Sequence, residues 1–509
     1  MTERNPISPG ELLMVGFEEP EVDDLLRRYI LDWRVGGVIL FDRNIRGPEQ
    51  LSRLCRELQN IRRRVAASPL LIAVDQEGGT VARVRKGATV FPGNLALGFA
   101  GTAEDARLQG RITGRELARL GINMNLAPVL DLYRSGGSHS LGLRSLGSDP
   151  ERVAELGAAL ISGLREEGVA AVAKHFPGKG GARRDSHREL PVIGDDAESL
   201  RARDLLPFRR AISGGVKAMM TSHAAYPALD VGRTRPGTIS RELMTGLLRE
   251  ELGFGGVLIS DDLGMGAVGG YCPVEESVRE GLRAGVDIFL LCHSPEERER
   301  AAGELGRIAA EDRALAGRLA ESGKRIAGLK ASLRPARPAG PPGESGDSLA
   351  DRIARGAVTF TPSAGEVPVL EKRFLLVWFQ PERTVEVENS ARDGGGPGSY
   401  FREAGFDPEV VPVSLEPAKE EMAAVRERLA ANRAVLVTSY DAYRFPGQKS
   451  LIEEILRART GALLAVVRDP RDAEIFPGAK SIAVTRGYGP HSLRALAGAL
   501  AAGREGGMA

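Results

Sequence analysis

Eight short apolar runs, set among amphipathic helical segments, constrain the fold of this chain more than any other feature. They fall at residues 12–17, 37–41, 70–75, 123–131, 170–174, 216–222, 257–261 and 287–291. Most are rich in Leu or β-branched residues on both faces, as parallel strands covered on both sides must be. Helical periodicity lies between many of them, for example over 103–120, 151–167 and 274–284. Strands alternating with helices predict a parallel sheet. Eight strands over residues 1–333 fit a closed (β/α)8 TIM-like barrel better than an open sheet. The pattern alone also admits a doubly wound sheet.

A Pro/Gly-rich stretch at 334–347, RPARPAGPPGESGD, cannot hold regular structure and reads as a linker. Beyond it, apolar runs at 373–379, 434–439, 462–468 and 481–485 alternate with helical patterns such as 417–431. Residues 348–509 are therefore expected to form a second, smaller α/β sandwich domain. The 509 residues carry 69 Lys plus Arg against 68 Asp plus Glu, a balance that argues against nucleic acid as partner. Three cysteines are too few for a disulfide framework. No apolar run approaches the ~20 residues of a membrane span, and the first residues lack a secretory pattern. The expected location is the cytoplasm, away from membranes; composition says nothing about oligomeric state.

Polar residues gather where the apolar runs end. Asp75 ends LLIAVD, Lys174 and His175 end VAAVAKH, and Asp261 ends VLISD. His223 ends KAMMTSH, and Cys292 and His293 end DIFLLCH. Singly, each is equally a helix cap, a turn residue or a satisfied histidine. In a barrel, however, these ends share the face on which active sites are built. Neither HExxH nor CxxC occurs, and no Walker or dinucleotide-binding glycine pattern is present. Asp185 and His187 could ligate a metal in principle, but no metal or cofactor is expected.

Three stretches, AVDQEGGTVARV (73–84), KHFPGKGGARRDSHRELPVI (174–193) and GVLISDDLGMGAV (256–268), resemble the family-3 glycoside hydrolases. The similarity is to their bacterial β-N-acetylglucosaminidase branch. NLAPVLDL, LRSLGSDP, MTSHAAYPALD and GLRAGVDIFLLC follow the same family order, so the resemblance covers nearly all of the first domain. The second domain is only loosely similar to the carboxyl-terminal domain of longer members.

The resemblance implies a retaining exo-glycosidase, a β-N-acetylhexosaminidase, that removes terminal β-linked N-acetylglucosamine. Peptidoglycan or muropeptide fragments are its implied substrates. Asp261 is the implied nucleophile, and His187, oriented by Asp185, the implied acid/base. Asp75, Arg83, Arg144, Lys174 and His175 are implied to grip the sugar, with Met265 lining the pocket. A histidine with an ordinary pKa of about 6.5 suits proton exchange near neutrality. Alone, Asp-Ser-His would read as a polar turn; its flanking matches favour the dyad. The chain departs from its relatives at Lys179, where they usually carry His. Lys179, Arg183 and Arg184 form a basic run that would favour an anionic leaving group. Three alternatives stay open: a phosphorylase using phosphate in place of water, a β-glucosidase or β-xylosidase, and a catalytically silent sugar-binding protein.

Overall fold

The computed structural model describes residues 8–134, 136–137, 141–186, 188–334, 344–361, 368–380 and 396–506. All eight apolar runs of the first part become strands: β1 Leu13–Val15, β2 Gly37–Leu40, β3 Leu71–Val74, β4 Met124–Asn125, β5 Ala170–Phe176, β6 Ala218–Thr221, β7 Val257–Asp262 and β8 Ile288–Leu291. They close in the order β1-β8-β7-β6-β5-β4-β3-β2, every pair parallel. Every residue of β1, β2, β3, β6 and β8 is buried, the consequence of cover on both faces.

The surrounding helices begin where the chain supplies caps. Thr102 and Asp105 form a reciprocal capping box at the start of Ala103–Leu120. Asp149 accepts the first free N–H groups of Pro150–Glu166, and Ser294 caps Pro295–Glu311. The charged stretch after β8 forms two helices. Asp312 ends the first, then accepts the Leu315 N–H at 3.1 Å to start Arg313–Ser332.

Beyond the linker lies a second sheet of β9 Thr359–Thr361, β10 Arg373–Phe379, β11 Asp407–Val413, β12 Val435–Ser439, β13 Leu463–Val466 and β14 Ser481–Val484. Its order is β9-β14-β13-β12-β10-β11, parallel except for β9. Most of the predicted linker, residues 335–343, lies outside the described residues. The helix Gly346–Ala357 that follows it packs Leu349, Ala350, Ile353 and Ala357 against Ala96, Leu97 and Ala106 of the barrel's helices. Among the described residues, no helix is long and apolar enough to cross a membrane.

Candidate active site

The carboxyl ends of the barrel strands surround a cavity of about 360 Å³. It brings together Asp75, Arg83, Arg144, Lys174, His175, Asp261 and Met265, seven residues named from the sequence. A cavity of about 470 Å³ lies at the opposite, amino-terminal ends of the strands, beside Gly168, Gly215 and Lys217.

Asp75 directly follows β3, and the chain then turns back sharply through a small hairpin, Gln76–Gly78 with Val81–Ala82. Gly78 and Gly79 make this turn with φ of 96° and 57°, a region that glycine enters without a side-chain clash. The Asn125 side chain holds the Gln76 backbone from both sides, at 3.0 Å each. The turn thereby returns Arg83 to the cavity, its N–H donating to the Asp75 carbonyl at 3.3 Å.

The same turn places Glu77 beneath the cavity. Arg144 grips it with two charge-assisted bonds of 2.8 Å each. Lys174 donates to Glu77 Oε1 at 2.6 Å and to Asp75 Oδ1 at 2.7 Å. Burial alone would raise the Glu77 carboxyl, but Arg144 and Lys174 outweigh it and hold the group well below the usual carboxylate range. Burial likewise opposes the Lys174 charge, yet Asp75 and Glu77 carry its pKa above the ordinary value. Two cations and two anions thus form one fixed, buried block on one wall.

A second chain of contacts crosses toward β7. The Lys179 backbone N–H donates to Asp131 Oδ1 at 2.7 Å, and His175 Nδ1 lies 2.6 Å from Asp131 Oδ2. His175 Nε2 is 3.9 Å from Asp261 Oδ2. Burial, reinforced by the Lys179 charge, pushes His175 well below its ordinary pKa. The ring is accordingly neutral, with Nδ1–H donating to Asp131. Burial also pushes the Lys179 ammonium down, against the pull of Asp261.

Asp261 is set by its neighbours. Its N–H donates to Thr221 Oγ1 at 3.3 Å, and its Oδ1 accepts the Asp262 N–H at 3.0 Å. His223 lies 2.9 Å from the Asp262 carbonyl through Nε2, and 2.7 Å from Thr238 Oγ1 through Nδ1. It braces the end of β7 and does not line the cavity. Asp262 accepts the Cys292 N–H at 3.0 Å and the Gly264 N–H at 3.3 Å. Burial, aided by the Asp261 charge, lifts it to about 6 against those donors.

Asp262, Cys292 and His293 each bring one potential metal-ligand atom within 4.8 Å of the others. The Arg43 guanidinium, 3.5 Å from His293 Nδ1, already places a cation at that corner.

His187 lies outside the described residues. Asp185 accepts the Arg188 and Glu189 N–H groups through its carbonyl, at 3.0 and 3.2 Å. The Ser186 carbonyl accepts the Ala267 N–H at 3.1 Å, tying this loop to the segment after Asp261. The expected basic run is not a single surface. Lys179 is buried, whereas Arg183 and Arg184 are exposed and Arg184 pairs with Glu189 at 2.5 Å.

Sequence reasoning missed Glu77, Asp131 and Asp262 as parts of the site. Asp131 carried the same signal as Asp75, an acid ending an apolar run; Glu77 and Asp262 each stand within two residues of a residue that was named.

Residues 8–324 match the family model described as glycosyl hydrolase family 3 N terminal domain. A protein named beta-hexosaminidase from Alkalilimnicola ehrlichii is 42% identical over 290 residues, 56% of this chain and 81% of that protein. Its counterpart from Thiobacillus denitrificans is 41% identical over 294 residues, 56% of this chain and 79% of that protein. A glycoside hydrolase family 3 β-N-acetylglucosaminidase from Paenibacillus sp. has a similar structure, with a TM-score of 0.92 and 36% identity. The match covers 97% of this chain and 96% of that one.

Proposed function

The chain belongs to glycosyl hydrolase family 3, and we propose that it is a β-N-acetylhexosaminidase that cleaves terminal β-linked N-acetylglucosamine with retention. The observation that carries this reading is the position of Asp261. Its carboxylate stands in a cavity whose opposite wall is the Asp75–Lys174–Glu77–Arg144 block. That block offers fixed donors and acceptors to the hydroxyls of a neutral sugar. His175 adds an acceptor at Nε2, because Asp131 holds the proton on Nδ1. The names of the relatives supply the N-acetyl specificity.

Retaining hydrolysis needs a nucleophile at the anomeric carbon and a group that protonates the departing oxygen. Asp261 attacks as a carboxylate and forms the glycosyl ester. His187, oriented by Asp185, protonates the leaving group and then activates water for the second displacement. A neutral histidine base also leaves room for an anionic acceptor, so phosphate belongs in the assay. Fragments of peptidoglycan are the proposed natural substrates.

The test uses aryl β-N-acetylglucosaminide and aryl β-glucoside with the purified protein, with and without phosphate. Release from the N-acetylglucosaminide is expected, with free sugar of retained configuration by proton NMR. Asp261→Asn is expected to lower kcat by on the order of 10³-fold or more. Asp261→Asn within tenfold of the parent would remove Asp261 from the chemistry, and sugar 1-phosphate as the product would make the enzyme a phosphorylase.

A further inference from the structure

Lys179 is 8% exposed and lines the catalytic cavity. Its main chain is pinned, the N–H on Asp131 Oδ1 at 2.7 Å and the carbonyl accepting the Ala182 N–H at 3.0 Å. Its ammonium, however, makes no hydrogen bond or ion pair among the described residues. Lys174, buried in the same cavity, differs in holding both Asp75 and Glu77. Only the charges of Asp261 and Asp131, acting without a hydrogen bond, offset the burial of this ammonium, which has three donors and no acceptor to offer. Asp131 is already engaged by His175 and by the Lys179 backbone, and Asp261 Oδ1 takes the Asp262 N–H. The missing acceptor is one that a ligand brings.

Its position indicates which group. The Lys179 ammonium shares the cavity with Asp261, the anion whose charge acts on it most strongly. With the anomeric carbon at Asp261, the adjacent ring carbon is C2. In the reading proposed above, the hydroxyls farther round the ring meet the Asp75–Lys174–Glu77–Arg144 block. In a 2-acetamido sugar, the C2 substituent ends in a carbonyl oxygen, which accepts and cannot donate.

We propose that Lys179 is the specificity-determining residue for the 2-acetamido group, its ammonium donating to the acetamido carbonyl oxygen. This rests on the reading of Asp261 as nucleophile. The site therefore selects N-acylated amino sugars over sugars with a free 2-amino group, whose own cation the ammonium repels, and over sugars with a plain 2-hydroxyl.

The experiment measures kcat/KM of the parent, Lys179→Met, Lys179→Gln and Lys179→Arg on three aryl β-glycosides: N-acetylglucosaminide, glucoside and free-amino glucosaminide. A hydrogen bond to a charged donor corresponds to about 10- to 100-fold. Lys179→Met and Lys179→Gln are expected to lose that factor on the N-acetylglucosaminide while the glucoside stays within about threefold of the parent. The free-amino substrate should improve, and Lys179→Arg should recover part of the N-acetyl preference. Equal losses on all three substrates, or no loss on the N-acetylglucosaminide, would overturn the assignment. Asp261→Asn is run beside them. If that variant keeps its activity, the nucleophile reading fails whatever the Lys179 series shows; if it is inactive and the Lys179 variants do not discriminate, only the acetamido assignment fails.

Discussion

The barrel and the carboxyl-terminal sheet both bury carboxylates at the ends of parallel strands, yet they use them differently. Asp262 ends β7, and Asp472 lies in the turn after β13; burial lifts each to about 6. Both are stabilised by backbone donors, Cys292 and Gly264 for the first, Ala442 at 2.8 Å and Tyr443 at 3.2 Å for the second. Around Asp472 the protein completes the set itself, with Ser439 donating to the carboxylate. The barrel then covers that end, with Tyr133 Oη on Asp469 at 2.7 Å and Arg471 on the Gly137 carbonyl at 3.3 Å. The barrel's own strand ends instead face an open cavity, with the Lys179 ammonium left for a ligand to meet. Buried charge at a strand end is therefore no mark of catalysis by itself; the distinction is whether protein atoms already satisfy it.

The largest break in this comparison is expected from Lys174→Met, which strands Asp75 beside a Glu77 that keeps only Arg144. Removing one partner of a buried ion pair costs about 3–5 kcal/mol, so urea unfolding should show a loss of that size together with weakened sugar binding. A loss below about 1 kcal/mol would mean the block is solvated and weak.

Asp472→Asn sharpens the contrast through pH. A carboxyl raised to about 6 in the fold and near 3.9 when unfolded holds its proton more tightly in the native state. Its stabilising contribution is complete below about pH 4 and is lost as pH rises toward 6. The parent should lose up to about 3 kcal/mol across that window through this group. Asp472→Asn should flatten the decline, and kcat should stay within about twofold because the group does not touch the cavity. An unchanged stability profile would show that Asp472 is not the source. The smallest effect is expected from Tyr133→Phe, about 1 kcal/mol of stability from one interdomain hydrogen bond, read by thermal unfolding.

Much of the fold was legible because a closed parallel barrel demands runs apolar on both faces, and each of the eight became a strand. The second sheet was less legible. β11 contains Pro408 and Pro412, which argue against a strand in a sheet interior, but it lies at the sheet edge, where proline is tolerated. β9 is only three residues long and antiparallel. In the site, Asp75, Lys174, His175 and Asp261 were visible because polar residues ending apolar strands stand out. Glu77 was not singled out, because it acts on other side chains from beneath the cavity; Asp131 ended an apolar run as Asp75 does and was passed over. Their significance comes from contacts with Arg144, Lys174 and His175, which are distant in sequence.

The helix Gly346–Ala357 carries a consequence for how this chain is divided. One face lies in the barrel's apolar layer with Ala96, Leu97 and Ala106. Arg352 pairs with Asp105 of the barrel, and Asp351 binds His491 of the carboxyl-terminal helix at 2.6 Å. Arg486, from the loop after β14, reaches the Ala357 carbonyl at 2.6 Å and lies over the Phe99 ring. The helix is a party wall, owned jointly by its two neighbours. The apolar layer of the barrel thus continues into a helix that follows the Pro-rich stretch. A barrel severed there loses the cover over Ala96, Leu97 and Ala106, and a transplanted carboxyl-terminal half carries Leu349 and Ile353 into water. The two halves are best exchanged, shortened or evolved as one piece.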